Sequence, residues 1–167
     1  MEVPTTKIKE LRELSGAGIM ECRNALVAAE GEMDKALRCL REKGLLKAEK
    51  KADRVAEQGL VEAYVHGGGK IGAMVEVNCE TDFAAHTAEF KELAHNIALQ
   101  VAALSPQYLS KEEIPSGSEA NPQEVCLLQQ PFIKDPTRTI QDIVNDTISR
   151  VGENIKVRRF ARFELGS

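Results

Sequence analysis

Apolar residues recur at helical spacing through the first third of the chain. Ile8, Leu11 and Leu14 form one stripe, with Thr5 or Thr6 placed to cap it and Ser15-Gly16-Ala17-Gly18 ending it on two glycines that tolerate positive φ. Ile19, Cys22, Ala25, Leu26 and Ala29 make a second stripe as far as Glu30-Gly31, and Ala36, Leu37 and Leu40 a third that stops at Gly44. This predicts three short helices. A unit of about 45 residues buries too little apolar area to be stable alone, so it must lean on the rest of the chain or on a partner. Leu45 to Glu57 reads as a solvated helical connector carrying Lys47, Lys50, Lys51 and Arg54, either an exposed face or a docking surface for acidic groups.

Beyond Gly59 the period changes. Leu60, Val61, Ala63, Tyr64 and Val65, then His66-Gly67-Gly68-Gly69-Lys70, then Ile71, Ala73, Met74, Val75 and Val77 predict a β-hairpin around a glycine turn. Ala84, Phe90, Leu93, Ala94, Ile97, Ala98, Val101 and Leu104 predict a helix that stops before Pro106. Residues 116–123 read as a mobile loop, and Val125 to Leu128 as a buried strand. Ile140, Ile143, Val144, Thr147, Ile148 and Val151 trace an amphipathic helix closed by Gly152. Ile155, Val157, Arg159, Ala161 and Phe163 then alternate with charged neighbours as a last strand. The order is β-β-α-β-α-β, an α+β fold in which helices cover one face of a small antiparallel sheet. The change of pattern places a boundary between the units 1–54 and 55–167.

Charge sharpens that boundary. Residues 1–54 hold 12 basic and 10 acidic side chains, a balance of +2, whereas residues 55–167 hold 10 and 16, a balance of −6. The net −4 argues against coating nucleic acid or anionic membrane through bulk charge, and favours a protein or small-molecule partner. With 43% apolar and 29% charged residues over 167 positions, the chain has a globular composition. No apolar run approaches the ~18 residues that span a bilayer, and Met1 to Thr5 lack a basic flank before an apolar core, so a soluble, unexported protein is expected. Cys22, Cys39, Cys79 and Cys126 form no CxxC pair and suit cores in a reducing compartment rather than a disulfide framework or a zinc site.

Three patterns invite chemistry. His66-Gly67-Gly68-Gly69 looks like an esterase oxyanion turn, but no GxSxG nucleophile elbow accompanies it. Gly69-Lys70 lacks the Ser/Thr and the following helix of a phosphate loop. Cys79, Asp82 and His86 raise a thiolate–imidazole pair, against which stand the position of Cys79 before the helix and the want of a third orienting group. Catalysis is not expected. Glu80-Thr81-Asp82-Phe83 is more informative: Thr81 is an N-cap, Asp82 suits the first turn, and Phe83 falls at the helix tip, where it is either core or a projecting interface aromatic.

Three long segments carry a resemblance. Leu11-Arg12-Glu13-Leu14-Ser15-Gly16-Ala17-Gly18-Ile19-Met20-Glu21-Cys22-Arg23-Asn24-Ala25-Leu26 resembles the N-terminal signature of the elongation factor Ts family. Val75-Glu76-Val77-Asn78-Cys79-Glu80-Thr81-Asp82-Phe83-Ala84 resembles its second signature, and Gly152-Glu153-Asn154-Ile155-Lys156-Val157-Arg158-Arg159-Phe160-Ala161-Arg162-Phe163-Glu164-Leu165-Gly166 its ending. The resemblance implies a guanine-nucleotide exchange factor for elongation factor Tu, in its GDP-bound and nucleotide-free forms, with no bond chemistry, no cofactor, no metal, and no direct nucleic-acid or membrane contact. It implies a three-helix, ubiquitin-associated-like docking unit that binds through Arg12, Ile19 and Met20. Thr81, Asp82, Phe83 and Ala84 are then the contact that disturbs the partner's magnesium and phosphate site, with Phe83 as the wedge. The implied location is the cytoplasm, or a plastid stroma after loss of a transit peptide.

The chain departs from the family in two places. Ala84-Ala85-His86-Thr87 replaces the usual Val-Ala-Arg/Lys-Asn/Asp, and only a loop stands between Ile114-Pro115 and Val125-Cys126 where short members carry charged helical turns. Self-association, which those turns would serve, is left open. Removal of residues 1–54 is expected to leave a folded core with little affinity for the GTPase.

Overall fold

The computed structural model describes residues 2–167. The chain opens with α1 (Thr5–Ser15), α2 (Ile19–Ala28) and α3 (Met33–Lys51), followed by β1 (Gln58–His66) and β2 (Ile71–Cys79). Next come α4 (Asp82–Ala85), α5 (Ala88–Leu104), α6 (Pro122–Val125), β3 (Pro131–Phe132) and β4 (Asp135–Thr139). α7 (Ile140–Val151) and β5 (Ile155–Glu164) complete the chain. The main sheet is antiparallel in the order β1-β2-β5, and β3 and β4 form a separate two-stranded ribbon.

Period-2 alternation decides which side of the sheet is covered. Ala73, Val75 and Val77 of β2 face inward, opposite Tyr64, Glu62 and Leu60 of β1 and Arg162, Phe160 and Val157 of β5. Beneath them lie Phe90, Ile97 and Val101 of α5 and Ile140, Val144 and Ile148 of α7, all in one buried cluster. The fold is therefore α+β, with helices on one face of the sheet, as the sequence pattern implies. The hairpin turn holds Gly67, Gly68 and Gly69 at φ of 62°, 67° and 89°, a run that side-chain-bearing residues adopt only with strain.

A second, smaller cluster of Leu11, Cys22, Ala25, Leu26, Ala29, Ala36 and Leu40 holds the three N-terminal helices together. This unit leans on α7. Gly16 ends α1 at φ 65°, and its bare Cα lies under Arg150, where an added Cβ would fall 2.0 Å from the Arg150 Nε. Nearby, Asp146 pairs with Arg138, and burial pushes its carboxyl above the ordinary range despite Arg138, Arg150 and Arg41.

Several local expectations are corrected. On β5 a bulge breaks the alternation, so that Phe160 and Arg162, and not Arg159, Ala161 and Phe163, continue the inward face of Ile155 and Val157. Gly44 does not end the third helix: Leu40, Gly44 and Ala48 recur every four residues on a buried face of α3, which packs along α7, and this burial outweighs the ~1 kcal/mol that a helical glycine forfeits. Leu45 to Glu57 is accordingly not a solvated connector throughout, because Ala48 enters the main core. Residues 125–128 are not a strand. Asn121 accepts the Gln123 N–H at 3.1 Å, Pro122 opens a helical turn, and a 3-10 turn covers Leu127–Gln129, so only Cys126 between them is extended, in an isolated parallel bridge to Tyr108, and Cys126 and Leu127 are buried outside any strand. That helical turn also takes Pro122 and Gln123 out of the loop. Finally, α1 begins at Thr5 behind Pro4 with no side-chain cap.

Candidate functional site

The tip that carries Thr81, Asp82 and Phe83 is built where β2 runs out. Thr81 caps α4 as its sequence predicts, its hydroxyl oxygen accepting the Ala84 N–H at 3.3 Å. A four-residue helix cannot hold itself, and the rest of the restraint comes from the turn between α7 and β5. One Glu153 carboxylate oxygen accepts the N–H groups of Glu80 (3.1 Å) and Thr81 (3.0 Å), and the other accepts the Thr81 hydroxyl at 2.6 Å. The Cys79 thiol donates to the Thr81 carbonyl at 3.1 Å.

On this pinned turn the side chains separate by role. Ala84 and Ala85 are buried in the main core, whereas Phe83 is 85% exposed. Of the two positions the sequence allows for this aromatic, the structure takes the projecting one. Asp82 is exposed in the first turn, and His86 Nδ1 donates to its main-chain oxygen at 2.7 Å while standing 3.6 Å from its carboxylate. His86 is thus held by Asp82 and not by Cys79. The Cys79 thiol is buried and its pKa raised, first by desolvation and then by the Glu153 carboxylate, the opposite of what a nucleophilic thiolate needs.

The N-terminal unit has its own uncovered apolar surface. Leu14 and Ile19 belong to helical stripes that predict burial, yet they are 56% and 55% exposed, and Met20 is 58% exposed beside them in sequence. Leu11 and Cys22, from the same stripes, are buried. Arg12 is exposed on α1. Glu21 fixes the first turn of α2 by accepting the Gly18 N–H at 3.3 Å and pairing with Lys47 of α3. The Lys47 hydrogen bond is the main reason its carboxyl lies below the ordinary range.

The local sequence marks the tip but not what holds it. Glu153 and Asn154 stand inside the C-terminal signature, where nothing local shows that their partners lie more than 70 residues away. Among the described residues, no group of three or more His, Cys, Asp or Glu gathers as metal ligands. The clefts along α7 contain none of Thr81, Asp82 and Phe83.

A compact α+β scaffold that projects one aromatic from a pinned tip and leaves helical apolar residues uncovered has the surface of a protein-recognition module. Comparison with known sequences makes the class specific. A family model described as Elongation factor TS matches residues 5–122 and 118–167. The chain is similar to elongation factor Ts of Heliobacterium modesticaldum, with 47% identity over 194 residues, covering 98% of this chain and 90% of that protein. The protein of the same name from Carboxydothermus hydrogenoformans is 47% identical over 194 residues (98% and 89% covered). That from Caldanaerobacter subterraneus subsp. tengcongensis is 48% identical over 189 (95% and 94% covered). The chain belongs to the elongation factor Ts family, and with it to the elongation factors of protein synthesis. The aligned lengths exceed the 167 residues of this chain, so the relatives carry residues that it lacks. The two stretches of the family match overlap at 118–122, where the loop meets α6.

Proposed function

We propose that this protein is a guanine-nucleotide exchange factor for elongation factor Tu that uses Phe83 as a wedge against the partner's magnesium and phosphate site. Family membership supports the exchange role. The observation that carries the wedge is the 85% exposure of Phe83 on a tip held by Glu153, because an exposed aromatic on a stiff support is how interface anchors are built. In this reading Thr81 and Ala84 shape the tip, and Asp82 brings a carboxylate close to the partner's metal and phosphate. Residues 1–54 are the docking unit, with Arg12, Ile19 and Met20 on its contact face, and residues 55–167 are the core that delivers the wedge.

No bond chemistry is required. Exchange is a linkage: a factor that weakens GDP binding by some ratio is itself weakened by GDP in the same ratio. A side chain that displaces the magnesium surroundings removes a large positive charge from the phosphates, and the contacts of the docking unit supply the free energy for that distortion. The partner is met GDP-bound and left nucleotide-free, in the cytoplasm, without nucleic acid or membrane. The test is to mix the protein with elongation factor Tu loaded with fluorescent GDP. Release is expected to accelerate with factor concentration to a plateau, whereas a module that only binds would leave the release rate unchanged.

A further inference from the structure

The two main-chain N–H groups between the end of β2 and the start of α4 belong to neither a strand ladder nor a helix, and such donors need a partner. Both go to Glu153. The clasp is reciprocal, since the Glu80 carboxylate accepts the Asn154 N–H at 2.7 Å. Asn154, only 2% exposed, then reaches a third segment: its side-chain amide donates to the carbonyls of Ala52 (3.3 Å) and Arg54 (2.7 Å), just past the end of α3. The Arg54 guanidinium closes the circuit 3.6 Å from the Glu80 carboxylate. Three stretches far apart in sequence, 52–54, 80–81 and 153–154, are thus joined by hydrogen bonds, most of them with a carboxylate as acceptor.

From this circuit we infer that Glu153 and Asn154 are positioning residues for exchange: Glu153 presets the Phe83 tip, and Asn154 couples that tip to the exit of the N-terminal docking unit. The inference rests on the exchange reading above. Neither residue has to touch the partner. The Thr81 hydroxyl has a single proton, which goes to Glu153, leaving its lone pairs to cap α4; Glu153 therefore orients the cap as well as the turn. A wedge on a loose turn would have to be ordered during binding, and that ordering free energy would be subtracted from the distortion of the partner. Asn154 acts elsewhere. By holding the backbone at 52–54, it keeps the docking unit and the tip at one separation, so its loss weakens simultaneous engagement and not the wedge itself.

The experiment measures release of fluorescent GDP from elongation factor Tu against factor concentration for the wild type, Phe83→Ala, Glu153→Gln and Asn154→Ala. Hydrogen exchange of the Glu80 and Thr81 amides is followed in the free factor. Glu153→Gln, which keeps the shape but loses a carboxylate acceptor, is expected to lower the plateau rate by roughly threefold to tenfold, with the half-saturating concentration within about twofold of wild type. It should also speed exchange of both amides. Asn154→Ala is expected to show the converse split, a raised half-saturating concentration with the plateau kept. If Glu153→Gln does not fold, Glu153→Asp carries the same expectation, because the shorter carboxylate cannot reach all three donors. Unchanged plateau and unchanged amide exchange would overturn the inference while Phe83→Ala still slows release and upholds the exchange reading. A wild-type protein that leaves release unchanged would overturn both.

Discussion

Phe83 and the Leu14, Ile19 and Met20 face are both exposed and apolar, yet they rest on different foundations. Phe83 stands on a four-residue helix whose preceding turn is hydrogen-bonded to the far end of the chain, and its immediate neighbours Ala84 and Ala85 are in the main core. The helical face is made of three moderate side chains flanking the turn between α1 and α2, on a unit with a small core of its own that leans on α7. A single stiff aromatic suits local distortion of a partner. Several half-exposed aliphatic side chains suit affinity. On this comparison, damage to the tip should appear in the plateau rate of exchange and damage to the helical face in the concentration needed to reach it.

The harshest way to break the comparison is to remove residues 1–54. Binding to elongation factor Tu should fall below detection at micromolar concentrations by calorimetry. The remaining core should melt well below the intact chain, because Ala48 leaves the main core and the buried Asn154 amide loses both carbonyl partners, an orphaned group worth about 1 to 3 kcal/mol. Undiminished binding would dismiss the anchor role.

Next in size is Phe83→Ala. Truncating an interface anchor removes about 2 kcal/mol or more of binding, whereas deleting a buried Phe removes about 3 to 5 kcal/mol of stability. With Phe83 this exposed, the variant should melt within a few degrees of wild type while its stimulation of GDP release falls by roughly tenfold or more. An unfolded variant, or one with full exchange activity, would remove the wedge from the account. Ile19→Ser with Met20→Ser should sharpen the contrast by raising the half-saturating concentration by about tenfold, on the order of 1.4 kcal/mol, at an unchanged plateau. A lowered plateau with normal affinity would mean that the two surfaces do not divide the work.

The two smallest effects serve as controls. Shortening the exposed loop at 116–121 should leave melting and exchange nearly unchanged, since the segment buries no large apolar side chain; lost exchange in a folded variant would make the loop a contact. Glu21→Gln removes the pair with Lys47, both side chains being substantially exposed, so a loss below about 1 kcal/mol is expected. The pH sign follows from the lowered Glu21 pKa: its contribution is present above the ordinary value of 4.5 and fades as pH falls through the depressed one. Wild type and Glu21→Gln should therefore converge in melting temperature in acid and separate toward neutrality.

Local chemistry was legible in the order of residues. Thr81 caps a helix because a hydroxyl three residues before a free N–H can reach it, and Gly67 to Gly69 turn because they lack a Cβ; neither needs to know the rest of the fold. The amphipathic period of α7 and the alternation along β2 likewise fixed which faces turn inward, and the long signatures carried the family, whereas on β5 the alternation holds only for Ile155 and Val157 before a bulge turns Phe160 and Arg162 inward. Tertiary structure decided the rest. Periodicity names Leu14 and Ile19 as core beside Leu11 and Cys22, but whether an apolar side chain is buried depends on whether another element covers it, and here none does. Propensity, being local, makes Gly44 a stop, while the surface of α7 that carries α3 through it is supplied by residues a hundred positions later. The same holds for the clasp at the tip, since a carboxylate at 153 and two N–H groups at 80 and 81 share no period and become partners only when β2 and β5 pair side by side.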